Sequence, residues 1–355
     1  MHDFDVIVVG AGPAGAAAAV RCTQLQLRTL LVERGAPGRS KLCGGILPTV
    51  TTEALDELGL RIPEDAMCSP PVLGLFYVPP SGRKNGGSAR NYRLLNVRRE
   101  RFDLWMQEAA KAAGAELLYE TEFLGFEETG EGLTVTTARG NLERFSARFL
   151  VGADGVFSKV RKQLYPASEV GTLAVLQEHW KGEGEFSDHF CALFKGEVTP
   201  TYGYVIPKDG LLVVGTGAPR NSPIPVSMCI ERLKAWLHAE FAFKPTSLRM
   251  RRGAAIPYDS PACGEGNVVL VGDAAGFCNP LSGEGVRLAI ESGVAAAEAA
   301  GRSRDGDGLF SSLYVERVEW LSDFVRRIQE FVTGLTDERR EEFVKAELAR
   351  CSLDP

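Results

Sequence analysis

A chain of 355 residues, 45% hydrophobic and with a net charge of −6, can bury a sizeable core and exceeds one ordinary domain, so two intertwined domains are expected. The acidic balance and the lack of any long basic run exclude the electrostatic footprint of a nucleic-acid binder. Asp3 and Asp5 precede the apolar N-terminal run, and glycines and Pro13 break it, which fits neither a secretion signal nor a spanning helix; the eight scattered cysteines form no C-x-x-C pair. The expectation is a cytoplasmic protein with reduced thiols, no disulfide framework and no metal site.

Phe4 to Val9, FDVIVV, is a β-rich run that ends in Gly10-Ala-Gly12-Pro-Ala-Gly15, continues into the alanine-rich AAAAVRCTQLQ and reaches a second apolar run, RTLLVERG. That is a strand-helix-strand unit. The loop SKLCGG follows, with Cys43 between a lysine and two glycines. A helix is expected at Arg101 to Ala113, stopped by Gly114, and hairpin strands from Ala115 to Leu150. From about Gly171 to Ile256 the chain reads as strand-dominated, with one helix near Val226 to Ala239. NVVLVGDAAG, Asn267 to Gly276, restores the strand-then-glycine style of the start, and GVRLAIESGVAAAEAA follows as a helix. Apolar residues at Phe310, Leu313, Val318, Leu321, Val325, Ile328 and Leu335 keep helical spacing and predict a tail docked on the main body. The expected fold is α/β: a discontinuous three-layer Rossmann-like domain (1–70, 95–165 and 258–300), an inserted sheet-rich α+β substrate domain (71–94 and 166–257) and a helical segment (301–355).

In Gly10-x-Gly12-x-x-Gly15 the first glycine permits the tight turn, the second lets the backbone approach a pyrophosphate, and the third lets helix and strand pack closely. The helix start, at Pro13 and Ala14, supplies free N–H groups and a positive dipole end. Glu33 at the end of the second strand, followed by Arg34, is placed to accept hydrogen bonds from an adenosine ribose; an acidic residue there disfavours a 2′-phosphate, so FAD or NAD fits better than NADP.

Two later motifs favour FAD. LVGADGVFSKVRK holds Asp154 and Gly155 after a strand, and VVLVGDAAGFCNPLSGEGVRLA holds Asp273 followed by Gly283, Glu284 and Gly285. Asp273 can accept a hydrogen bond from a ribityl hydroxyl, and the helix after Gly285 can aim N–H groups at the flavin N1/O2 edge. Cys43 is either a small residue that lets its loop pass close to the flavin, helped by Gly44 and Gly45, or a thiol working at the ring face. In the second case Lys41 lowers its pKa if the two side chains converge.

The ordered set GxGxxG, GADG and GDAA resembles the flavoprotein superfamily with the para-hydroxybenzoate hydroxylase fold, over roughly residues 3 to 300. Within it, GDAAGFCNPLSGEGVRLAIESG, KLCGG and NVRRERFDLWM are similar to the geranylgeranyl reductase family. RNYR, RFDLWM and ARFLVGADGVFSKVRKQLYP are also similar to bacterial CbrA, a related oxidoreductase. The resemblance implies that Ala14, Glu33, Cys43, Gly44, Arg99, Asp273, Gly285 and Val286 lie at the flavin, and Phe123 at the adenine through its backbone; Arg98 and Arg101 compete for the role of Arg99. The family's substrate signature, P-x-x-Y-x-W-x-F-P, meets Pro200-Thr-Tyr202-Gly-Tyr204-Val-Ile206-Pro207 here. The first proline is displaced by one residue, and Tyr204 and Ile206 replace tryptophan and phenylalanine, which alters the pocket. Cys43, Tyr202 and Tyr204 are the candidate catalytic residues, and alternating core positions of a strand are the competing reading for the two tyrosines.

The resemblance implies an FAD-dependent reductase of carbon-carbon double bonds in an isoprenoid or other apolar substrate. No second GxGxxG unit follows, so electrons would come from transiently bound NAD(P)H or a small redox protein. The competing classes are an FAD-dependent monooxygenase of an aromatic or apolar small molecule and a non-catalytic redox-sensing flavoprotein. Expected partners are an apolar or prenyl-lipid substrate and a peripheral membrane contact; the oligomeric state stays open.

Overall fold

The computed structural model describes residues 2–353 except 40, 131 and 169; the side chains of residues 91 and 351–353, Cys351 among them, lie outside the described set. Phe4–Val9 pairs in parallel with Thr29–Val32 on one side and with the end of Asn141–Gly152 on the other. Val268–Leu270 and Glu116–Leu118 extend this parallel sheet in its two directions. Nearly every residue of the central strands is buried, as parallel strands covered on both faces require. Asn141–Gly152 serves two arrangements: residues 141–147 continue an antiparallel meander with Glu122–Thr129 and Gly132–Arg139, and residues 147–152 join the parallel sheet. Helices Pro13–Gln24, Arg99–Ala113 and Val286–Arg304 pack around the same core.

The second sheet runs in the order Lys244–Pro257, Thr172–Glu183, Leu211–Pro219, Gly203–Lys208, His189–Leu193, Met67–Val78, Gly87–Val97, Ile46–Pro48. Period-2 alternation splits its faces. Leu193, Val205 and Val214 meet the helix Val226–Phe241 through Ile230, Leu233 and Leu237. Ala192, Phe194, Tyr204, Ile206 and Val213 point the other way. Ile46–Pro48, in a stretch the sequence places with the nucleotide domain, pairs with Leu94–Asn96 of this second sheet. The loop holding Cys43 therefore crosses from one sheet to the other.

The tail is two helices. Phe310–Val332 buries Phe310, Tyr314, Val318, Leu321 and Val325 in the first core, and Tyr314 Oη donates to the Leu270 carbonyl at 2.7 Å. Asp337–Leu353 lies against the strands Met67–Val78 and Gly87–Val97 of the second sheet, with Val344 fully buried. Among the described residues no helix is long and apolar enough to cross a membrane, and no cluster of His, Cys, Asp or Glu could hold a metal ion.

Candidate active site

The glycine turn is built by backbone contact. A Cβ on Gly15 would lie 1.9 Å from the Gly10 carbonyl oxygen, and one on Gly10, at φ +100°, would lie 2.4 Å from that of Ala153. Around Gly12 the space is open, as the approach of a pyrophosphate requires, and the helix starting at Pro13 has no side-chain cap, which leaves its first N–H groups for a ligand. Glu33 is 1% exposed; its Oε2 accepts from the Ala11 N–H at 2.9 Å, its Oε1 from the Gly35 N–H at 2.8 Å, and Arg39 Nε pairs with Oε1 at 2.8 Å. Its carboxylate is thus fixed at the strand end, while neighbouring Arg34 is exposed.

Asp154 is engaged within its own turn. Its Oδ1 accepts from Ser158 Oγ at 2.5 Å and its Oδ2 from the backbone N–H groups of Lys159 and Val160 at 2.7 and 3.3 Å, so it holds the start of the helix Lys159–Leu164, next to the left-handed Gly155. Burial raises its pKa despite these bonds. Phe123 is buried in its strand, and its carbonyl accepts from Lys159 Nζ at 3.3 Å.

The loop after Ser40 joins three of the candidate residues. Lys41 Nζ lies 2.9 Å from Asp273 Oδ2, in the short turn Gly272–Ala274. Gly45 adopts φ +67°, and a Cβ there would lie 2.1 Å from the Val97 carbonyl oxygen, so the loop is pressed against the strand that leads into helix Arg99–Ala113. Arg99, only 6% exposed, grips Asp103 through Nε at 2.9 Å and Nη2 at 3.1 Å, and its charge acts on Cys43. The competing Arg98 faces away from this centre, paired with Asp209 at 2.6 Å, and Arg101 is exposed. Burial works against a Cys43 thiolate, but Arg99, the Gly45 N–H and Lys41 outweigh it, and the thiol pKa is lowered. Arg99, one helix away, is the stronger cation; Lys41 adds to it while bound to Asp273.

A cavity of about 330 Å³ opens beside this loop. Cys43, Gly44, Gly45 and the turn Asn279 to Glu284, which includes Gly283, bound one side, and Tyr202, Tyr204, Ile206, Phe190 and Phe194 the other. The helix Val286–Arg304 starts beside that turn without a side-chain cap; Val286 is buried, and a Cβ on Gly285 would lie 3.4 Å from Asp273 Oδ1. Tyr202 and Tyr204, two residues apart, share the cavity face; Tyr202 stacks on Phe194 with centroids 5.7 Å apart and Tyr204 on Phe190 at 6.0 Å. Burial raises the pKa of both phenols, so both stay protonated at neutral pH. Two uncapped helix starts, a buried carboxylate at the second strand's end and an apolar cavity beyond the Cys43 loop fit a dinucleotide flavin.

Sequence reasoning missed Gln107, whose Nε2 donates to the Ala11 carbonyl at 2.9 Å, and Arg161, 5% exposed, whose Nη1 donates to the Ala274 carbonyl at 3.4 Å and ties the GADG helix to the GDAA turn. It also missed Phe343 of the last helix, a cavity wall residue. For Arg161 the GADG motif itself was the available signal; Phe343 carried none.

The FAD binding domain family matches residues 3–304. The chain is 28% identical to Protein CbrA of Escherichia coli strain K12 over 300 residues, 82% of this chain and 82% of that protein. In fold it resembles a geranylgeranyl bacteriochlorophyll reductase-like protein from Thermoplasma acidophilum, with a TM-score of 0.82 and 21% identity over 97% of this chain and 91% of that one. It also resembles Pseudomonas aeruginosa PqsL, crystallised with 2-aminobenzoylacetate, with a TM-score of 0.72 and 18% identity over 97% and 99%. The chain therefore belongs to the FAD binding domain family of flavin-dependent oxidoreductases and monooxygenases.

Proposed function

We propose that this protein is an FAD-dependent reductase that saturates carbon-carbon double bonds of an apolar, prenyl-type substrate, with NAD(P)H or a small redox protein as electron donor. The apolar cavity bounded by the Cys43 loop carries this reading, because its volume and aromatic walls suit a buried hydrocarbon ligand. When bound, FAD supplies a two-electron hydride donor at the ring. Glu33, the Gly10–Gly15 turn and the two uncapped helix starts would hold the dinucleotide, with Asp273 at the ribityl chain. Leu75, Val175, Phe190 and Phe194 exclude water and fix the alkene over the Cys43–Gly45 side of the cavity. Cys43, whose thiol pKa burial raises but Arg99, the Gly45 N–H and Lys41 together lower, is the wall group placed to hold or release a proton at Sγ. A cytoplasmic location and a peripheral approach to membranes for lipid substrates belong to the same reading.

Anaerobic turnover tests it. The FAD-loaded protein with chemical reductant and a prenyl substrate should give a product heavier by two hydrogens by mass spectrometry. A product formed only in air and carrying one added oxygen atom would replace the reductase by a monooxygenase.

A further inference from the structure

Four hydroxyl groups of the cavity wall share one property. Tyr202 Oη donates to the Ser282 carbonyl at 2.6 Å and Tyr204 Oη to Gln177 Oε1 at 3.2 Å. Thr201 Oγ1 donates to the Gly217 carbonyl at 2.5 Å and Thr216 Oγ1 to the Tyr202 carbonyl at 3.0 Å. Each of these protons is held within the protein, so these four oxygens offer a ligand lone pairs only.

The arrangement around Tyr204 is the most constrained. Tyr204, Gly215 and Gln177 stand directly opposite one another across three strands. A Cβ at Gly215 would fall 2.2 Å from the Tyr204 ring and 2.3 Å from its oxygen, so the phenol lies flat over the glycine and reaches Gln177. Gln177 is 1% exposed, and its Nε2 lies 2.7 Å from His179 Nε2. His179 is faced by Lys208 from the strand Gly203–Lys208, two places away in the sheet, by Arg252 from the edge strand and by Glu100 from the helix Arg99–Ala113; burial and the two cations depress its pKa to about 4. The imidazole is therefore neutral at neutral pH, and its Nε2 accepts from the Gln177 amide, which leaves Gln177 Oε1 for the Tyr204 proton.

We infer that the cavity selects an apolar ligand carrying a hydroxyl or another neutral hydrogen-bond donor, and that Gln177 and His179 are positioning residues that keep the Tyr204 oxygen as its acceptor. A phosphate or diphosphate head group brings only acceptors to these four oxygens and leaves both sides unpaired. The inference rests on the prenyl-type reading of the substrate and narrows it to alcohols.

Geranylgeraniol, its methyl ether and geranylgeranyl diphosphate are titrated into the oxidised, FAD-loaded protein, with the change in flavin absorbance as the signal. The alcohol should bind about tenfold tighter than either of the others, the size of one net hydrogen bond. Tyr204→Phe, which keeps the ring, should bring alcohol and ether within about twofold, and so should Gln177→Leu, which frees the Tyr204 proton; a merely structural role would weaken both ligands alike and leave their ratio unchanged. If Gln177→Leu fails to fold, Tyr204→Phe carries the comparison alone. Equal or tighter binding of the ether or diphosphate, or a tenfold preference that survives Tyr204→Phe, overturns the inference and leaves the prenyl reading standing. Failure of all three to bind overturns both.

Discussion

Lys41 Nζ and Asp273 Oδ2, 2.9 Å apart, join the loop that enters the second sheet to the turn that closes the first. The lysine pKa is raised chiefly by this aspartate, and the aspartate side chain is 14% exposed. A charge that close to the expected ribityl chain has to be compensated whether or not flavin is bound. Lys41→Met should therefore raise the Kd for FAD by about tenfold, or about 1.4 kcal/mol, while Lys41→Arg keeps it near wild type. Quenching of flavin fluorescence reads both, and an unchanged Kd in Lys41→Met would separate the pair from cofactor binding.

Arg99 makes Cys43 the distinctive thiol among the described cysteines. Burial pushes Cys22 and Cys191 up to about 12, whereas Cys43 is lowered. In the flavin-free protein, iodoacetamide at pH 7 should modify Cys43 first, with mass spectrometry locating the label. Arg99→Met should slow that reaction several-fold, since the cation favouring the thiolate is gone. Cys43→Ala that keeps FAD but loses turnover would assign the thiol to chemistry; retention of both would assign it to packing beside the ring.

Gly215→Ala is expected to act on substrate and not on cofactor. The added methyl would occupy the place of the Tyr204 ring, 2.2 Å away, so the phenol must lift into the cavity. Overpacking of this kind destabilises by about 1–3 kcal/mol. The melting temperature should fall and substrate KM rise, while the flavin content of the purified protein stays constant. A wild-type KM would mean that the phenol does not bound the substrate.

His179 gives the stability profile an acid limb. The unfolded chain protonates this imidazole near 6.5, and the folded one only near 4. Between those values the unfolded state binds the extra proton, so stability falls as pH drops from about 6.5 towards 4 and is unaffected by this group above that window. His179→Asn should flatten this part of a plot of urea midpoint against pH. An unaltered slope would show that the imidazole protonates as freely in the fold as outside it.

The nucleotide end of the molecule was legible because its determinants are local. Gly10 and Gly15 answer to backbone contacts a few residues apart or to the adjoining GADG turn, and a helix begins within or within a few residues after each glycine motif. Asp154 shows the limit of that legibility: nothing in the GADG motif tells that its aspartate also holds the start of a short helix. Partners that span the chain were hidden. Lys41 and Asp273 are 232 residues apart, and nothing in either motif names the other. The cavity walls come from strands made neighbours by a mixed sheet order, so Phe190, Tyr204 and Gln177 could be assigned to strands but not to one another.

The last helix, Asp337–Leu353, completes the cavity through Phe343 and is anchored on the substrate side. Arg340 Nη2 donates to the Pro200 carbonyl at 2.8 Å, the Gly196 N–H donates to Asp337 at 2.7 Å, and Ser81 Oγ donates to Glu341 at 2.8 Å. The preceding helix, by contrast, is rooted in the nucleotide core through Tyr314. The two tail helices are thus rooted in different parts of the molecule, one in the core of the first sheet and one against the second sheet and its cavity. Substitutions on the face of the last helix that carries Phe343 can therefore reshape the cavity without touching the Gly10–Gly15 turn or Glu33, so one wall of the scaffold is free to vary while the glycine turn stays as it is.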